Sequence, residues 1–225
     1  MLTHANLVVN TLQVASWAPS LKPGEERVLA VLPFFHVFAM TVVMNFSIAL
    51  AAEIVIMPRF VLVDALKLID KTKPTCMPGV PTMFTAIINH PKLKSFNLSS
   101  LKFCLSGGAP LPVDVKQRFE QLTGCKLVEG YGLSEASPSV TCNPLEGPVK
   151  EGSIGQPLPG TIVSLRDLAD PAKEAPLGER GEICVKGPQV MKGYWKKPEE
   201  TANQFIGDFL RTGDGGIMDP EGFIF

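Results

Sequence analysis

From His4 to Gly132 short apolar strands alternate with helical segments, and that alternation leaves few architectures open. Residues 28–32, 53–57 (EIVIM), 74–78 (PTCMP), 101–106 (LKFCLS) and 126–132 (KLVEGYG) read as buried strands. Between them, residues 4–17, 38–49, 61–71, 81–89 and 112–122 read as helices. Leu62, Ala65, Leu66 and Ile69 share one helical face, and Val115 and Phe119 share another. A strand–helix repeat of this kind predicts an α/β fold, a mostly parallel sheet flanked by helices.

The pattern changes after Asn143. TIVSLRD and GEICVKG read as strands, with turn-rich stretches between them. A boundary is therefore expected near residue 145, with an α/β subdomain over 1–144 and a β-rich subdomain over 145–225. The second is expected to be a small antiparallel sheet or distorted barrel. DPEGFIF at the end reads as a hairpin strand without the partner it needs, and a helix begins almost at Met1. Both ends predict an internal piece of something longer.

The stretch from Val28 to Ala52 is nearly free of charge. Pro33, His36 and Asn45 interrupt it, so a strand followed by a buried helix explains it better than a membrane span. A net charge of −1 and the absence of a basic stripe exclude a general nucleic-acid binder. The 5 cysteines match no metal knuckle or disulfide framework, which predicts small core residues in a reducing, cytoplasmic setting.

In a parallel sheet ligands bind beyond the carboxyl ends of the strands. Three strand ends here carry chemistry: LPFFHV (32–37), LSGGAPLP (105–112) and EGYGLSEASP (129–138). Gly107 and Gly108 let a ligand approach the backbone, although a plain turn would use them equally well. Tyr131 offers a stacking face, Ser134 a neutral hydroxyl, and Glu135 a hard oxygen suited to Mg²⁺. Downstream, RTGDGG (211–216) puts Asp214 in a glycine-rich turn, where it can take ribose hydroxyls or cap the turn itself. His36, with no carboxylate near it in sequence, suits packing or gating rather than proton transfer. There is no GxxxxGK[ST] loop, no GxGxxG fingerprint, no His pair at metal spacing and no GxSxG elbow.

MLTHANL, LPFFHVFAMT, LSGGAPLP, EGYGLSEASP, GSIGQPLPG, GEICVKGPQVMKGYW and RTGD occur in that order over essentially the whole chain. In this the chain resembles the adenylate-forming superfamily, and within it the AMP-forming acyl-CoA synthetases of the bacterial long-chain fatty-acid type. The resemblance implies ATP, Mg²⁺ and coenzyme A as reactants, with a fatty acid or other small carboxylic acid as the group activated. It implies that Gly107, Gly108 and Ala109 line an adenine pocket, that Tyr131 and Gly132 pack on the base, and that Ser134 touches the α-phosphate. Glu135 would accompany Mg²⁺, Asp214 would hold the ribose, and Phe35, His36 and Phe38 would form an acyl pocket or gate. Phe34, Met40 and Val42 are equally readable as core.

The resemblance also implies parts with no counterpart in these residues: a Ser/Thr/Gly-rich phosphate loop, and a C-terminal domain carrying a catalytic lysine. The isolated chain is therefore expected to bind ATP weakly and to complete neither half-reaction. The full enzyme is expected to be cytoplasmic or peripheral to a membrane. A ligase for short or aryl acids, and a noncatalytic nucleotide- or acyl-binding module, stand as alternatives.

Overall fold

The computed structural model describes all 225 residues, which form two sheets. The first contains β1 (Arg27–Ala30), β2 (Glu53–Ile56), β3 (Cys76–Gly79), β4 (Phe103–Ser106), β5 (Lys126–Gly132), β6 (Ser139–Cys142) and β7 (Gln156–Pro157). Their spatial order is β2-β1-β3-β4-β5-β6-β7. The first five strands run parallel, and β6 and β7 add on antiparallel.

Five helices accompany this sheet: α1 (His4–Ser16), α2 (Phe46–Ala49), α3 (Leu62–Thr72), α4 (Pro81–Ile88) and α5 (Val113–Thr123). The expected α/β architecture is the one adopted. Successive strand residues point to opposite faces, so both faces of the sheet need cover. Leu29, Met77, Cys104 and Leu127 pack with Leu66 and Ile69 of α3, Phe84 and Ile87 of α4, and Phe119 of α5. Their immediate neighbours Val28, Ala30, Cys76 and Phe103 pack on the other side with Val43 and Phe46.

The apolar stretch from Val28 to Ala52 divides as expected into a strand and a helical segment. The helical part begins as a π-helix, Ala39–Asn45, and continues into α2. Thr41 in this π-helix is fully buried and donates its hydroxyl to the Ser137 carbonyl at 2.7 Å. No helix is long and apolar enough to cross a membrane.

The second sheet contains β8 (Ile162–Arg166), β9 (Arg180–Lys186), β10 (Phe205–Ile206) and β11 (Phe209–Ile217), in the order β10-β11-β9-β8 and antiparallel throughout. One short helix, α6 (Pro198–Asn203), precedes β10. The expected boundary near residue 145 falls in the loop between β6 and β7. The DPEGFIF segment differs from expectation. Ile224 is fully buried and bridges both Gly155 and Met218, so this segment has partners on two sides.

Helix α1 is tied through buried amides to β6 and to the loop that leads into the second sheet. Asn10 donates to the Ser139 carbonyl at 2.8 Å and accepts from the Ser139 N–H at 2.9 Å. Gln13 donates to the Pro159 carbonyl at 2.7 Å. Buried amides of this kind fix position because leaving them unpaired costs about 1–3 kcal/mol each. They set β6, and with it the loop from Leu133 to Pro138, against the start of the chain.

Candidate functional site

A cleft opens at the carboxyl ends of β4 and β5 and runs down between the first sheet and the α1 and π-helical segments. It encloses about 930 Å³ including its open mouth. Its floor is apolar, with Trp17, Val42, Phe46, Phe103 and Leu158 among the residues in the wall. Its mouth carries Gly107, Gly108, Tyr131, Gly132, Ser134, His36 and Phe38. Seven of the residues expected at a site thus converge on one opening, although they come from three separate strand ends.

Gly132 has no room for a Cβ, and Gly107 is closely packed. A Cβ on Gly107 would meet the Phe38 ring at 3.1 Å, so the aromatic ring lies directly on the backbone there. A Cβ on Gly132 would overlap the carbonyl oxygen of Pro138, which is backbone and cannot swing aside.

The second sheet reaches this mouth through Asp214. The Tyr131 hydroxyl donates to Asp214 Oδ2 at 2.6 Å, across 83 residues of sequence. Burial first, and then the adjacent Asp214 carboxylate, push the Tyr131 phenol well above its ordinary value, so it stays a donor. The expected turn at Asp214 is instead a bulge within β11, where the pairing with β9 shifts between Arg211 and Gly215, and Glu182 of β9 holds it. Glu182 accepts from Arg211 Nε at 3.0 Å, from the terminal Arg211 nitrogen at 2.8 Å, and from the Gly213 N–H at 3.1 Å. Thr212 donates to the Ile183 carbonyl at 2.7 Å and accepts from the Asp214 N–H at 3.1 Å. The Asp214 carboxylate is exposed and faces Tyr131, while the Thr212 hydroxyl closes the bulge.

Glu135 sits beside the mouth in a short 3₁₀ turn, Ser134–Ala136. Its Oε1 accepts from the Tyr194 hydroxyl at 3.0 Å, and its backbone carbonyl accepts from Met191 N–H at 2.7 Å. No three His, Cys, Asp or Glu side chains gather to form a protein-only metal centre. The Glu135 carboxylate beside the mouth suits Mg²⁺ that arrives on phosphates, since that ion usually takes one or two carboxylates and keeps its remaining ligands from substrate and water.

Two expected residues are not brought in. Phe35 is 87% exposed and lies outside the cleft wall. Ala109 is exposed on the loop beyond Gly108 and also lies outside the wall. His36 stands at the mouth, where its Nδ1 accepts from the Phe38 N–H at 3.2 Å. No carboxylate hydrogen-bonds it.

Three supporting residues escaped sequence reasoning: Glu182, Tyr194 and Glu129. Glu182 had a signal, a carboxylate inside the otherwise apolar run GEICV. Glu129 is buried, and its Oε1 accepts from the Leu111 N–H at 2.9 Å, which pins the end of the Gly107–Leu111 loop. Burial raises its carboxyl above the ordinary value, partly offset by that N–H. The cysteines are free, and burial pushes the Cys76 and Cys142 thiols up to about 12, as befits inert core residues.

Residues 1–195 match the family model described as AMP-binding enzyme. The whole chain is 53% identical to a long-chain-fatty-acid–CoA ligase of Bacillus subtilis and 41% identical to one of Escherichia coli, covering 40% of each. It superposes in full on ATP-bound MatB from Rhodopseudomonas palustris with a TM-score of 0.91 at 32% identity, covering 44% of that chain. The chain thus spans well under half the length of the proteins it is similar to. On the strength of the family match, which takes in the cleft and the first two strands of the second sheet, the chain belongs to the AMP-binding enzyme family.

Proposed function

We propose that this chain forms the nucleotide and acyl cleft of an ATP-dependent, AMP-forming acyl-CoA ligase for long-chain fatty acids. The observation that carries the reading is the Tyr131–Asp214 contact at the mouth of an apolar cleft. It sets an aromatic face and a ribose-type acceptor side by side, above a floor suited to a hydrocarbon chain. The likeness to long-chain fatty-acid ligases over the full chain supports the choice of acid.

In this reading adenine lies on the Gly107–Gly108 backbone and against Tyr131, and Asp214 accepts from the ribose hydroxyls. Ser134 donates to an α-phosphate oxygen. Glu135 would hold Mg²⁺, which supplies charge neutralisation on the phosphates when bound. The fatty-acid carboxylate oxygen attacks the α-phosphorus, and the bond to the bridging oxygen breaks as pyrophosphate leaves. The thiolate of coenzyme A then attacks the acyl carbonyl and AMP departs. The side chains position and neutralise rather than react covalently, which is where such sites gain most of their rate. Phe38, packed on Gly107 where the floor meets the mouth, and His36 beside it would gate the acyl group. The two sheets would act as two subdomains that meet at the nucleotide, and the reading assigns this chain the cleft rather than the complete machinery.

The test is acid-dependent ATP–pyrophosphate exchange by the protein carrying this chain at its natural length. A sixteen-carbon acid is expected to support exchange far better than acetate or an aryl acid, and E135A is expected to lower it by about 10²–10³-fold. AMP binding without exchange for any carboxylic acid would replace the ligase with a binding module. Exchange confined to aryl or short acids would replace the substrate class.

A further inference from the structure

We infer that Tyr194 is a positioning residue for Glu135, fixing which carboxylate oxygen is offered to the phosphate-bound cation. The inference rests on the reading of Glu135 given above. Its own evidence is a contact between segments far apart in sequence. Tyr194 lies after β9 in the KGYW turn, 59 residues from Glu135, and its hydroxyl donates to Glu135 Oε1 at 3.0 Å. That bond occupies Oε1 and leaves Oε2 open.

The tyrosine is itself placed with little freedom. Gly193 has φ of 134°, and a Cβ there would run into the Thr201 side chain, so the backbone lies flat on α6. The Thr201 hydroxyl accepts from the Tyr194 N–H at 2.9 Å and donates to the Lys197 carbonyl at 2.7 Å. Three residues before Tyr194 the same segment is bolted to the Glu135 backbone, where Met191 N–H donates to the Glu135 carbonyl at 2.7 Å. Backbone and side chain of Glu135 are thus held by one segment, Met191–Tyr194. A carboxylate that must present one oxygen to a cation gains from having the other already hydrogen-bonded, because less rotamer freedom is lost on binding.

The alternative role for Tyr194 is packing alone. Removing only its hydroxyl separates the two, since Y194F keeps the ring. The experiment is calorimetric titration of ATP into the protein at natural length over a series of Mg²⁺ concentrations, with metal-free AMP binding as the control. Y194F is expected to raise the Mg²⁺ concentration for half-maximal ATP affinity roughly tenfold, while metal-free AMP affinity stays within about twofold. E135Q is expected to shift it at least as far, and Y194F with E135Q no further than E135Q alone. T201V, which removes the acceptor of the Tyr194 N–H, is expected to give a smaller shift in the same direction and serves if Y194F does not fold.

An E135Q shift with unchanged Mg²⁺ dependence in Y194F, or in T201V if only that variant folds, overturns the inference alone. Equal loss of AMP and Mg·ATP affinity in Y194F also overturns it and leaves a packing role. No effect of E135Q on the Mg²⁺ requirement overturns the reading of Glu135 and the inference with it.

Discussion

The two segments that meet at the cleft are held in place by different means. The Gly130–Pro138 loop of the first sheet is fixed by contact: Gly132 has no room for a Cβ, and Ser137 and Ala136 are fully buried. The Arg211–Gly215 bulge in β11 of the second sheet is exposed at Gly213 and Asp214 and is clamped by one carboxylate, Glu182. Steric fixing fails outright when it is violated. An electrostatic clamp fails by degrees and responds to salt. In the proposed reading, one rigid wall and one that can yield would let nucleotide in and product out.

The largest effect is expected from challenging the rigid wall. G132A should destabilise the protein by about 3 kcal/mol or more, since the obstruction is backbone and relief needs the whole loop to move. A urea midpoint equal to that of the parent would mean the loop is softer than its packing implies. Next comes E182A, which takes three hydrogen bonds from the β11 bulge. Arg211 is over a third exposed, so the expected loss is at the low end for charged hydrogen bonds, about 1–2 kcal/mol. AMP affinity should fall roughly tenfold with it, because Asp214 loses its footing. If stability drops but AMP affinity does not, the clamp serves the sheet and not the site.

The smallest effect sharpens the rigid side. The Glu129 carboxyl is raised by burial, so the folded chain keeps this proton at pH values where the unfolded chain has released it. Its contribution to stability therefore falls as pH rises from the ordinary carboxylate value through the raised one. E129Q keeps an acceptor for the Leu111 N–H and removes the titration. Its stability relative to the parent should grow over that window and level off above it. Parallel pH–stability curves for the two proteins would show that Glu129 does not carry this cost.

Much of the first sheet was legible in the sequence because its strands alternate between two covered faces and its helices have clear apolar sides. Leu66 and Ile69, and Val115 and Phe119, pack where their spacing placed them. The π-helical stretch at Ala39–Asn45 was not legible beyond being helical, since its extra turn width answers to tertiary contacts such as Thr41 with Ser137. The DPEGFIF segment was misjudged because its partner Gly155 lies in a loop with no strand pattern. At the site, glycine-flanked motifs marked Tyr131 and Asp214 but carried no sign that the two touch. Phe35 misled because apolar character alone did not reveal that Phe34 packs on the core beside it while Phe35 stands 87% exposed. Tyr194 was hidden because its role depends on a contact 59 residues away.

The central claim is that Tyr131 and Asp214, on separate sheets, form one nucleotide site. A double-mutant cycle on AMP affinity, measured by calorimetry in the protein at natural length, tests it most directly. D214N is expected to weaken AMP about tenfold and Y131F about threefold, and the Y131F effect should largely vanish in the D214N background. AMP affinity untouched by D214N, or two losses that simply add, would contradict it.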